Sequence, residues 1–224
     1  MSSGIALSCV LWVVATLSPG LVRAELASPA PGPISGPTPA QIAGPILVLG
    51  DSLSAAHNLP ASRGWVALLE DRLRRHAQPA PKVINASISG ETSAGGRSRL
   101  PALLSEHRPA LVIIELGGND GLRGLPPAQL RENLDAMIAA SREAGAKVLL
   151  IGIDVPPNYG PAYRRRFTAV FHELAEHWQV PLLPFLLDGV ALNPDLMQAD
   201  GIHPTAEAQP ILLDSVWSVL EPLL

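Results

Sequence analysis

The sequence predicts an α/β fold: three layers, α/β/α, around a five-stranded parallel sheet. Three observations predict it. Short apolar runs recur along the chain, each bounded by Pro, Gly or polar residues, as buried parallel strands are. Between successive runs, apolar residues recur at helical spacing. The first three runs each end abruptly in small and polar residues. The alternation of strand and helix implies crossover connections, which make the sheet parallel and its handedness right-handed. The flavodoxin-like order 2-1-3-4-5 is the simplest arrangement. It puts the first and third strands at the switch point, where polar turns beyond the carboxyl ends converge on one rim.

The first strand is Ile46-Leu47-Val48-Leu49, between Pro45 and Gly50, and it runs into Gly50-Asp51-Ser52-Leu53-Ser54. A helical pattern follows from about Ser62, with Trp65, Leu68, Leu69 and Leu73 on one face. Lys82 to Ile88 reads as the second strand and ends in Ser89-Gly90-Glu91-Thr92-Ser93. Arg97 to His107 is the next helix, stopped by Pro109. Leu111 to Leu116 is the third strand, followed by Gly117-Gly118-Asn119-Asp120-Gly121 and a loop through Pro127. Ala128 to Ala144 is helical, with Gly145 as its stop. Lys147 to Ile153 is the fourth strand, Tyr163 to Trp178 a helix, and Pro181 to Leu186 a short fifth strand. After the loop that holds Asp200 and His203, Thr205 to Leu223 reads as a last helix, with Thr205 as its cap.

Of 224 residues, 47% are hydrophobic and 16% charged, so a sizeable core is expected. The net charge is −4, and no long basic run or stripe is present, which argues against nucleic acid as a partner. Residues 1–24 have the pattern of a cleaved signal peptide: an apolar run from Ile5 to Leu17, a break at Ser18-Pro19-Gly20, and small residues in Val22-Arg23-Ala24. That segment has no Lys or Arg before its apolar run, and an uncleaved anchor is the rival interpretation, although the run is short of the ~20 residues a span needs. Export to the periplasm or the medium is therefore expected, with no stable membrane span after processing. Cys9, the single cysteine, lies in this segment, so the processed chain has no thiol nucleophile. Residues 25–44, rich in Pro, Ala, Gly and Ser, read as a disordered tether before one folded domain from 45 to 224.

Acyl transfer by serine needs a nucleophile, a base, a carboxylate to orient the base, and N–H donors for the oxyanion. Ser52 stands where open α/β sheets do their chemistry; alone it fits a helix cap or turn as readily. Of six histidines, His76, His107, His172 and His177 fall on polar helix faces or ends, and His57 lies in the loop after Ser52. His203 sits between Gly201 and Pro204, three residues after Asp200, where a short turn can hold the carboxylate against the imidazole. Asp200 and His203 alone would equally serve a cap or turn. The Ser52 backbone N–H is one oxyanion candidate. Gly90 allows a second N–H to approach without a side chain in the way. The Asn119 amide is a third, although Asn among glycines is also a common left-handed turn residue. There is no G-x-S-x-G, no G-x-G-x-x-G and no P-loop, and His172 with His177 lacks the spacing of a zinc helix.

Four blocks carry a resemblance. They are Leu47-Val48-Leu49-Gly50-Asp51-Ser52-Leu53-Ser54-Ala55, Val83-Ile84-Asn85-Ala86-Ser87-Ile88-Ser89-Gly90, Glu115 to Gly124, and Met197-Gln198-Ala199-Asp200-Gly201-Ile202-His203-Pro204. With Pro157-Asn158-Tyr159-Gly160 added, the chain resembles the GDSL-type esterases of the SGNH hydrolase superfamily from about residue 46 to its end. The family's four name-giving residues fall on Ser52, Gly90, Asn119 and His203. The resemblance implies a Ser52–His203–Asp200 triad and an oxyanion hole of Ser52, Gly90 and Asn119. It also implies a movable loop, Gly121 to Pro126, beside the acyl chain. The expected activity is hydrolysis of acyl esters and thioesters (aryl esters, lysophospholipids or acyl-CoA types) by a monomer that needs no metal or cofactor. Gly121, Leu122, Leu125, Val155 and Pro156 suggest an apolar acyl channel, which surface packing alone could also explain. A carbohydrate O-deacetylase and a non-catalytic acyl-binding module are the alternatives.

Overall fold

The computed structural model describes residues 1, 11–12, 42, 44–76 and 78–224. The expected signal peptide and most of the Pro-rich stretch lie outside the described residues. Ile42, within that stretch, is buried in the core. Among the described residues, no helix is long and apolar enough to cross a membrane.

The strands are β1 (Ile46–Gly50), β2 (Val83–Asn85), β3 (Leu111–Glu115), β4 (Lys147–Ile151) and β5 (Leu182–Leu183). The helices are α1 (Trp65–His76), α2 (Ser93–His107), α3 (Gly118–Leu122), α4 (Pro127–Glu143), α5 (Pro161–Trp178) and α6 (Gln209–Leu220). The sheet is parallel, in the order β2-β1-β3-β4-β5. β1 and β3 are buried along their whole length, because helices cover both faces of the sheet. α1 packs against α6, whereas α2 packs on α4 and α4 on α5. Right-handed crossovers require this division. The step from β1 to β2 runs one way along the sheet and every later step runs the other way, so α1 and the group α2, α4 and α5 take opposite faces.

Most element ends lie within a few residues of those the sequence suggests, and the larger departures are these. Regular β2 stops at Asn85, whose Oδ1 accepts from Ser87 N at 3.1 Å. The chain still bonds to β1 beyond that point, through Ala86 N and Ile88 N. β5 is two residues long because Pro181 and Pro184 flank it and cannot donate. α2 begins at Ser93, with Thr92 Oγ1 accepting from Gly95 N as its cap, so Gly95 and Gly96 are helical. α3 forms where a loop is expected. α6 begins at Gln209, because Pro210 lacks an N–H and its ring crowds the carbonyl four residues back; Thr205 therefore does not cap it.

Candidate active site

The carboxyl ends of β1, β2, β3 and β4 open into one cleft of about 620 Å³. The turn after β1 supplies Ser52, the turn after β2 supplies Gly90, α3 supplies Asn119, and the loop before α6 supplies His203.

Ser52 Oγ lies 2.9 Å from His203 Nε2, and His203 Nδ1 lies 2.7 Å from Asp200 Oδ2. With Nδ1–H donating to the carboxylate, Nε2 is left as the acceptor for the Ser52 hydroxyl. The Asp200 turn is built locally: Oδ1 accepts from Ile202 N at 2.9 Å and from His203 N at 3.0 Å. Desolvation opposes ionisation of Asp200. The backbone and ring N–H groups of His203 and the Ile202 N–H outweigh it and hold the carboxyl at about 2.

The three oxyanion candidates differ. Ser52 N–H and Gly90 N–H donate to no acceptor among the described residues, and both residues line the cleft. Gly90 has φ +81°, while a Cβ placed on it would meet nothing within 4 Å. Its backbone conformation, rather than room for an approaching N–H, is what requires glycine. Asn119 Nδ2 gives its two protons to Asp51 Oδ2 at 3.1 Å and Glu91 O at 2.9 Å. Arg123 donates to Gly90 O at 3.0 Å and so fixes the peptide that follows the Gly90 Cα.

Beneath the serine lies a pair of buried carboxylates that the sequence pattern does not reveal. Asp51 Oδ1 accepts from Leu53 N at 3.0 Å, which shapes the turn. Glu115, at the end of β3, is fully buried; its Oε2 accepts from Ser54 Oγ at 2.6 Å and Asp51 N at 3.3 Å. Burial pushes Asp51 up to about 6. Burial first, and then the charge of Asp51, push Glu115 well above the usual carboxylate range. Asp120 is buried as well. It accepts from Ser93 N at 2.8 Å and Ser93 Oγ at 2.5 Å, tying α3 to the start of α2.

The cleft wall is mostly apolar. Of the five residues suggested for an acyl channel, Leu122, Val155 and Pro156 line the cleft, and Gly121 and Leu125 do not. α3 turns Gly121 inward, where a Cβ would stand 2.2 Å from Val155 Cγ1. The Leu125 carbonyl accepts from Tyr163 Oη at 2.8 Å. The chain after β5 also lines the cleft, through Phe185, Leu187, Leu192 and Met197. Only the fold brings these residues near Ser52; their spacing in the sequence carries no signal.

The GDSL-like Lipase/Acylhydrolase family model matches residues 48–210. Esterase TesA of Pseudomonas aeruginosa is 58% identical over 179 residues, which are 80% of this chain and 89% of that protein. Thioesterase 1/protease 1/lysophospholipase L1 of Escherichia coli K12 is 48% identical over 80% of this chain and 84% of its own length. Among solved structures, the psychrotrophic esterase EstA from Pseudoalteromonas sp., inhibited by monoethylphosphonate, superposes with a TM-score of 0.76 at 44% identity, covering 80% of this chain and 97% of that one. With the sheet order, the four converging turns and these matches in agreement, the chain belongs to the GDSL-like lipase/acylhydrolase family.

Proposed function

We propose that this protein is a serine hydrolase that cleaves acyl esters and thioesters through an acyl-enzyme intermediate. The observation that carries the assignment is the hydrogen-bonded chain Ser52–His203–Asp200 beside two uncommitted backbone N–H groups in an apolar cleft. Ser52 Oγ attacks the acyl carbonyl while His203 Nε2 takes its proton. Asp200, ionised and held by three N–H groups, keeps Nε2 free and stabilises the imidazolium. The Ser52 and Gly90 N–H groups receive the oxyanion. Asn119 joins them by turning one amide proton from Glu91 O or Asp51 toward it. His203 then protonates the leaving alcohol or thiol, and in the second half it activates the water that releases the acid.

The substrate class follows from the cleft. Its volume and apolar walls suit an acyl chain longer than acetyl. The relatives' names, esterase and thioesterase/lysophospholipase, support aryl esters, lysophospholipids and acyl thioesters as the groups to test. The N-terminal segment supports a periplasmic or secreted site of action.

The test is hydrolysis of p-nitrophenyl esters from acetyl to palmitoyl by the processed protein and by Ser52→Ala. The expected result is turnover that peaks at medium or long chains and vanishes with Ser52. Wild-type turnover in Ser52→Ala would sink the proposal. Activity confined to acetyl would redirect it to an O-deacetylase. Turnover must also fall in acid, since the base works as neutral imidazole, and a flat profile from weakly acid to weakly alkaline pH would contradict that role.

A further inference from the structure

A second histidine lies against the first. The His57 and His203 ring centroids are 4.2 Å apart, with the planes tilted by 33°. The chain makes an effort to put His57 there. Its two neighbours, Ala56 and Asn58, both have left-handed backbone, at φ +56° and +58°. Asparagine visits that region readily; alanine rarely does. Gly64 makes room for the turn, since a Cβ on it would stand 2.6 Å from Ala56 Cβ. One side chain then joins the two histidine loops. Gln198 Nε2 donates to His57 O at 3.0 Å and to Pro204 O at 2.9 Å, and the Gln198 backbone N donates to His203 O at 2.7 Å. Asn58 Nδ2 reaches Gln198 Oε1 at 3.4 Å. These bonds fix the two loop backbones against each other, and Ser89 Oγ lies 3.4 Å from His57 Nδ1.

We propose that His57 is a positioning residue for His203, covering one face of its ring and stabilising the imidazolium formed when Ser52 gives up its proton. The proposal rests on the assignment of Ser52, His203 and Asp200 above. Both ring nitrogens of His203 are taken by Ser52 and Asp200, and His57 meets the ring at a tilt of 33°. An aromatic face within about 6 Å attracts a cation through its quadrupole. That attraction is absent from the neutral ground state and present once charge develops, so it lowers the barrier rather than tightening binding. Position 57 therefore calls for an aromatic ring. Substrate contact alone would call only for apolar bulk.

The experiment compares His57→Tyr, His57→Phe, His57→Leu and His57→Met, with Ser52→Ala in parallel. It measures kcat, KM and the pH profile on p-nitrophenyl butyrate. The other charged groups around the pair are Asp200 on the same loop, Asp51 with Glu115 behind it, and the Asp154–Arg164 pair lining the cleft. All are common to the four variants, so differences report the ring alone. The aromatic variants are expected within about twofold of each other. Leu and Met are expected to lose about fivefold in kcat at constant KM, with the acid limb moved to lower pH, because the imidazolium is less favoured. Two variants of each kind guard against one that packs badly, and thermal unfolding identifies it. Equal kcat and equal acid limbs across all four would overturn the proposal, as would a rise in KM alone. Turnover surviving in Ser52→Ala would instead overturn the assignment beneath it.

Discussion

Gly90 separates two reasons for a glycine. Open space surrounds the position of its missing Cβ, yet its φ of +81° excludes most other residues. Gly90→Ala is expected to cost about 1–2 kcal/mol of stability. The strain also shifts the N–H that the mechanism uses, so kcat should fall at least tenfold, toward the ~10²–10³ of a donor lost outright. Thermal unfolding and kcat together check this; a destabilised variant with unchanged kcat would remove Gly90 from the oxyanion site. At this scale the sequence is legible where chemistry is local. Asp200 and His203 are three residues apart, and one turn suffices to join them. Asn119 is less legible. That its amide protons are spent on Asp51 and Glu91 depends on two other segments meeting it, which no spacing announces. His57 is hidden for the same reason, since its partner lies on a loop near the other end of the chain.

α3 and α5 show how elements shape the cleft. Tyr159 Oη donates to Leu122 O at 2.6 Å and Tyr163 Oη to Leu125 O at 2.8 Å, so the first turn of α5 and the chain just before it hold the segment from α3 to α4 at two points. Leu122 is in the cleft wall, and Leu125 only anchors it. Tyr159→Phe should lose about 1 kcal/mol and loosen Leu122. The expected effect is a severalfold rise in KM for long-chain esters, with kcat on acetyl esters nearly unchanged. A chain-length series on this variant checks it, and a uniform loss at every length would show that Leu122 does not contact the acyl chain. The number of strands is legible because the runs are mostly apolar and bounded by Pro, Gly or polar residues, and their order follows from taking the simplest doubly wound arrangement. The strand lengths are not legible. β5 is cut to two residues by prolines on both sides, and α2 gains a turn because Thr92 caps a segment whose glycines look non-helical.

Across the whole molecule, stability depends on pH through two opposed sets of carboxyl groups. Asp200 is held at about 2, below its unfolded value near 3.9. Its contribution is present above that unfolded value and is lost as pH falls toward 2. Asp51, pushed up to about 6, and Glu115, pushed well above its usual range, behave in the opposite sense. The native state holds their protons more tightly than the unfolded chain does. Their contribution is therefore complete below about pH 4 and is lost as pH rises through the folded values. Both sit at the switch point of the sheet, where β1 and β3 end side by side and Gly50 pairs with Glu115. The site needs this turn, so the enzyme keeps a buried acid that a purely structural core would replace. Glu115→Gln tests the sign. The amide cannot ionise, but its oxygen can still accept from Ser54 and Asp51 N. Tm of the variant minus Tm of wild type should grow as pH rises from 4, whatever its value at pH 4, and level off above the folded value of Glu115, because position 115 carries a titrating proton only in the wild type while Asp51 titrates in both. A difference that stays constant as pH rises would mean that Glu115 has the same charge folded and unfolded, and the buried acid beneath Ser52 would then be an ionised one.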